Sequence, residues 1–168
     1  MYFEEIVAVI DQALPLGLKS IKICGAGEPT ENTRFLEFVR EMTKRDVGVA
    51  IFTKGQVLGS DEKTTQFYHK NGINSALDLC QELYRLKTSI MLSLQSFDTE
   101  VQDALVGKSG HALVRNQALE NLVKTGFNSA NQSRLCLTNA PITKTNADEV
   151  FDIYVYARER NIYPVIAV

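Results

Sequence analysis

The residues with the clearest capacity for chemistry stand in short clusters behind apolar runs. Ile21-Lys22-Ile23 leads into Cys24-Gly25-Ala26-Gly27-Glu28-Pro29. Gly25, Ala26 and Gly27 leave the backbone open to close approach by a ligand. Pro29 fixes the exit direction and disfavours helix at Glu28. Gly25-x-Gly27 is not a dinucleotide fingerprint, because Thr30 stands where the third glycine would be. The bland reading is a plain strand-to-helix turn, and a second is a phosphate seated on the turn. Three further clusters are Thr53-Lys54-Gly55, Ser93-Leu94-Gln95-Ser96 and Asn139. All fall where apolar runs end, and ligands of parallel α/β folds bind beyond the carboxyl ends of strands. The set favours a small-molecule site. It holds no Ser/His/Asp arrangement, no paired-carboxylate site and no zinc-ligand spacing, so hydrolysis is unsupported.

The remaining reactive side chains are sparse. His69 reads as a solvated loop residue, and His111 as a cap-region residue opening a helix. Cys24, Cys80 and Cys136 are widely spaced, which suits neither a disulfide framework nor a zinc knuckle. Their apolar settings favour buried free thiols, with Cys24 the exception at a strand end.

The elements that must position these clusters alternate. Residues 2–14 predict a helix, with Phe3, Ile6, Ile10 and Ala13 on one face, ended by Pro15 and Gly17. Strands are expected at 20–24, 47–52, 89–94, 135–139 and 162–168. The run 47–52 is continuously apolar, which predicts a parallel strand covered on both faces. Helices are expected from Asn32 or Thr33 to about Lys44, from Ser75 to about Leu86, over 100–105, over 112–124, and from Asn146 to Arg160. Asn32 or Thr33, Ser75 with Asp78, and Asn146 with Glu149 are the candidate caps. Residues 56–72 read as a long polar loop with a short helix around Phe67, Tyr68 and His69, and loops of this length are often functional. The α-β alternation predicts one α/β domain over 1–168, built on a parallel sheet. A helix first and a bare strand last suggest a strand missing ahead of the first helix.

Composition bounds the partners. The chain has 168 residues, 45% hydrophobic and 23% charged, with net charge −2. These values suit a globular protein and give no reason to expect nucleic acid or a membrane surface. No leader pattern opens the chain and no apolar run approaches a membrane span, so a cytoplasmic location is expected.

In their order and spacing these motifs resemble the radical S-adenosylmethionine (radical SAM) enzymes over nearly the whole chain. Ala26-Gly27-Glu28-Pro29 is similar to that family's Gly-Gly-Glu-Pro, and Thr53-Lys54-Gly55 to its Thr-Asn-Gly. Ser93-Leu94-Gln95-Ser96, Asp98 and Val106-Gly107 resemble its Ser-x-Asp strand end with a downstream glycine. Leu119, Leu122, Gly126, Asn146, Glu149, Ala157-Arg158 and 161–164 continue the pattern. The resemblance implies a partial (β/α)6 TIM-like barrel of which the second to sixth strands are present. It implies SAM as cofactor, with a [4Fe–4S] cluster supplying the electron that cleaves it to a 5′-deoxyadenosyl radical. Gly25, Ala26, Gly27 and Glu28 would hold the SAM amino group, with Thr53 and Lys54 beside them. Ser93, Gln95 and Ser96 would approach its carboxylate or ribose. Arg115 would meet the carboxylate, or else be a solvated helix arginine, and Asn139 would meet the ribose or serve a turn. Lys54 departs from the usual Asn and Gln95 from the usual Asp. No Cys-x3-Cys-x2-Cys occurs in the sequence, so the cluster segment is expected ahead of Met1 and the chain is expected to be truncated and inactive alone. A SAM- or nucleoside-binding barrel without catalysis, or an unrelated phosphate-binding α/β domain, are the other readings. The substrate and oligomeric state are not legible.

Overall fold

The computed structural model describes residues 3–25 and 27–167. Helix α1 (Phe3–Ala13) precedes strand β1 (Ser20–Ile23). Then follow α2 (Phe35–Lys44), β2 (Gly48–Thr53), α3 (Asp61–Tyr68), α4 (Ala76–Arg85), β3 (Ser89–Ser93), α5 (Thr99–Val106), α6 (His111–Thr125), β4 (Leu135–Asn139), α7 (Val150–Glu159) and β5 (Tyr163–Ile166). The five strands form one open, all-parallel sheet in the order β1-β2-β3-β4-β5. The expected α/β alternation and parallel pairing are therefore present. No helix among the described residues is long and apolar enough to cross a membrane.

Sequential order fixes the layering. Every crossover steps the same way, and crossovers of one hand place their helices on one side of the sheet. The alternating strand positions agree. Ile21, Ile23, Val49, Ile51, Ile90, Leu92, Leu135 and Leu137 join one hydrophobic cluster with residues of the helices, such as Leu36, Val39, Leu79, Leu83, Leu122 and Ile153. Lys22, Ala50, Phe52, Met91, Ser93, Cys136 and Thr138 lie outside it. The expectation that β2 is covered on both faces is thus corrected. Its buried residues alternate, and Ala50 and Phe52 are only half-buried. An apolar residue on the uncovered face looks the same in sequence as one in the core, so the run of 47–52 was misleading.

Local signals placed most element ends. Ser75 Oγ accepts from Asp78 N–H and starts α4. Gly107 and Gly126 take left-handed conformations and close α5 and α6. Two expectations fail. The long polar loop with a short helix expected over 56–72 is instead mostly helical and packed against the core, with α3 starting at Asp61. Ser60 caps α3, Tyr68 is fully buried, and its hydroxyl donates to the Thr30 carbonyl at 2.6 Å. Only Phe67 and Tyr68 of the expected short helix belong to α3; His69 lies exposed in the turn after it, as anticipated. Asn146 and Glu149 are not a capping pair for α7, because tertiary partners claim both side chains.

Candidate ligand site at the carboxyl ends of the strands

The turn after β1 carries the most open chemistry. Gly27 holds φ +96°, where side chains are strained, and the space beside it is empty for 4 Å. Gly25, φ +146°, is equally open. Ala26 lies outside the described residues. Glu28 is extended at φ −122°, as its position before proline demands. A recess of about 270 Å³ is lined by Ile23, Cys24, Gly25, Gly27, Glu28, Pro29, Asn32 and Phe52. A longer apolar groove of about 810 Å³ continues from it between α1, β1 and α2, sharing Ile23, Cys24, Pro29 and Asn32.

Glu28 ties this turn to the next strand end. Its Oε1 accepts from the hydroxyls of Thr30 and Thr53, both at 2.7 Å, and its Oε2 accepts from Lys54 N–H at 2.8 Å. Thr53 Oγ1 in turn accepts from Gly55 N–H at 3.0 Å. A carboxylate offers about four acceptor positions; Oε1 takes two hydroxyls and Oε2 one N–H, so Oε2 keeps one, and Glu28 is half-buried and lines the recess. A cation there would meet a carboxylate already fixed in place. The Lys54 side chain is exposed, and its contribution to the Glu28 network is its backbone.

The turn after β3 is built differently. Gln95 and Gln102 pair reciprocally: Gln102 Nε2 donates to Gln95 Oε1 at 2.7 Å, while Gln102 Oε1 accepts from the backbone of Gln95 and Ser96. Gln95 Nε2 donates to the Ala140 carbonyl at 2.9 Å. Ser96 is fully buried, and its hydroxyl donates to Glu149, whose other oxygen accepts from Phe97 N–H at 2.7 Å. Asn146 Nδ2 donates to the Gln95 carbonyl at 3.0 Å. These side chains lace the ends of β3 and β4 together, and their polar groups face one another rather than solvent.

Arg115 is corrected as well. It is fully buried, not a solvated helix arginine. Nη2 donates to the Ser96 carbonyl at 3.1 Å, while Nε and Nη1 are buried with no partner. Burial pulls its pKa down to about 10, against the opposing influence of Tyr156, Glu149 and Asp103. It supports the 95–97 turn from beneath, and solvent does not reach its free nitrogens. Asn139 is likewise fully buried; Nδ2 points to the Gln95 carbonyl at 3.5 Å and Oδ1 is unpartnered. Ser93 is half-buried on the uncovered face, in register with Thr138.

The residues named from sequence therefore separate into two groups. Gly25, Gly27 and Glu28 line one recess, Thr53 and Lys54 hold Glu28 from the next strand end, and Ser93 lies on the open face of the sheet. Gln95, Ser96, Arg115 and Asn139 form a buried scaffold behind it. Sequence reasoning missed Thr30, Gln102 and the site role of Glu149. Thr30 had a local signal, a hydroxyl two residues past a carboxylate, whereas Glu149 reaches Ser96 across 53 positions with no local sign.

No protein-family model matches the chain, and no curated protein matches it.

Among the described residues, no group of three His, Cys, Asp or Glu side chains stands together to hold an ion. Cys24 is exposed, Cys80 buried and Cys136 half-buried, each a free thiol. Burial raises both Cys80, to about 12, and Cys136, which opposes the thiolate state a cluster requires. These residues do not fit a [4Fe–4S] cluster.

Proposed function

We propose that this chain is a SAM-binding domain, its open sheet forming part of a TIM-like (β/α)6 barrel, and that Glu28 receives the ammonium group of the ligand. The observation that carries the reading is the Glu28 carboxylate, fixed by Thr30, Thr53 and Lys54 N–H with one acceptor position left, on a residue that lines the recess with Gly25 and Gly27. Fixed charges exchange little reorganisation for binding, which favours a ligand cation there. The recess accommodates an amino-acid head. The uncovered face beyond it, with half-buried Phe52 and Ser93, offers stacking and hydroxyl contacts to a nucleoside. Sequential strand order and helices on one side support the barrel reading.

The choice of SAM among ligands with an amino-acid head rests on the motif resemblance. Radical cleavage of SAM needs cluster ligands that these residues do not supply, so the reading is one of binding. Calorimetric titration with SAM, and separately with inorganic phosphate, tests it. Saturable heat with SAM supports it. Silence at millimolar SAM overturns it, and heat with phosphate alone favours an anion seated on the Gly25–Gly27 turn instead.

A further inference from the structure

We infer that Gln56 is a positioning residue for the loop that fixes Glu28, and that protonation of His111 displaces it. The inference rests on the loop itself and holds whichever ligand the site takes.

Gln56 follows Thr53 and Lys54, the two residues of this loop that hold Glu28. It is buried, with its amide turned toward α6. Nε2 stands 2.9 Å from His111 Nδ1 and 3.5 Å from the His111 carbonyl, while Oε1 accepts from Lys108 Nζ at 3.3 Å. The lysine cation dictates the amide orientation, because only the oxygen can face it. The amide NH₂ therefore faces His111, Nδ1 must be a bare acceptor, and the imidazole is neutral with its hydrogen on Nε2. That Nε2 is buried without a partner.

Protonation puts a hydrogen on Nδ1, directly against the amide NH₂. Flipping the amide relieves that contact and points NH₂ at Lys108 instead. While Lys108, an exposed side chain, keeps its hold on the amide oxygen, neither orientation satisfies both neighbours, and an acidified His111 pushes Gln56 off α6. The loop has little slack to absorb this. At Gly55 an added Cβ would lie 2.7 Å from Leu92 Cδ1 and 3.0 Å from Ala118 Cβ. The displacement is therefore passed back to Lys54 and Thr53.

Four charged groups act on His111: Arg115 one turn along α6, Asp103 from α5, Lys108 from the turn between them, and Lys54 from the loop. Only Asp103 favours the imidazolium, and its carboxylate is already taken by Gly110 and Ala112 N–H.

The test is an NMR pH titration of the full chain, without ligand, following the His111 ring and the Lys54 backbone amide. The Lys54 amide should titrate with the midpoint of His111. His111→Asn keeps an acceptor near the Nδ1 position and cannot titrate there, so it should abolish that step while leaving the Lys54 resonance at its neutral-pH position. Lys108→Met frees the amide to flip, and should reduce the Lys54 step at least twofold. A Lys54 amide that titrates only in the carboxylate range, or equally in wild type and both variants, overturns the inference. None of these readouts uses SAM, so failure here is separate from failure of SAM binding.

Discussion

Thr53→Val isolates the joint between the first two strand ends. Valine matches threonine in shape, so no cavity opens and only the hydroxyl is lost. That hydroxyl donates to Glu28 at 2.7 Å and accepts from Gly55 N–H at 3.0 Å, and both Thr53 and Gly55 are buried. A hydrogen bond to a charged group contributes about 1.5–3 kcal/mol, and a buried donor left unpaired costs about 1–3 kcal/mol. Glu28 is only half-buried, and water replaces part of its loss, so the lower half of that range applies. The expected destabilisation is about 2–4 kcal/mol. With a urea slope of about 2 kcal/mol/M, the middle of the usual range, the midpoint falls by roughly 1–2 M at unchanged slope. Thr53→Ser restores the hydroxyl and most of the stability. Urea denaturation followed by circular dichroism reads both variants. A Thr53→Val protein within about 0.5 kcal/mol of wild type, the range of an ordinary surface change, refutes the idea that this hydroxyl joins the two turns.

Two other perturbations probe the scaffold. At Gly59 an added Cβ would lie 1.9 Å from the Val114 carbonyl oxygen and 2.8 Å from Ala118 N; Gly59→Ala should cost about 1–3 kcal/mol or more by forcing the loop off α6, and a neutral result in thermal unfolding would show that the contact relaxes freely. Hydrogen bonds from Arg85 and Arg40 hold Glu82 down to about 2. Its folded value lies below its unfolded one, so its stabilisation is complete above about pH 4.5 and is lost as pH falls toward 2. Glu82→Gln should flatten that part of the stability–pH curve, and an unchanged curve would remove Glu82 from the acid response.

Much of the fold was legible because local chemistry agreed with it. Phe35, Leu36, Val39 and Met42 mark one helix face, and all four are buried there. Gly107 and Gly126 mark helix ends where left-handed backbone is needed. What was not legible depends on distance. Nothing near Arg115 in sequence says that its helix passes beneath Ser96, so an arginine with ordinary helical neighbours proved fully buried. The polar look of 56–72 concealed Val57, Leu58, Thr64 and Tyr68, all of them fully buried. Glu28, Thr53 and Lys54 were legible as neighbours because each cluster ends its own strand, and parallel register brings such ends together. The inward pairing of Gln95 with Gln102 has no such rule behind it. A glutamine at a strand end reads as a ligand contact until its partner is seen.

The central claim is that Glu28 receives an ammonium group, and the most direct measurement compares SAM with its desamino analogue by calorimetry on wild type and Glu28→Gln. A charged hydrogen bond of about 1.5–3 kcal/mol corresponds to roughly 10- to 100-fold in affinity. Wild type should lose that factor when the amino group is removed, and Glu28→Gln should bind the two ligands alike. Equal binding of both ligands by wild type, or a preference for SAM that survives in Glu28→Gln, would contradict the account.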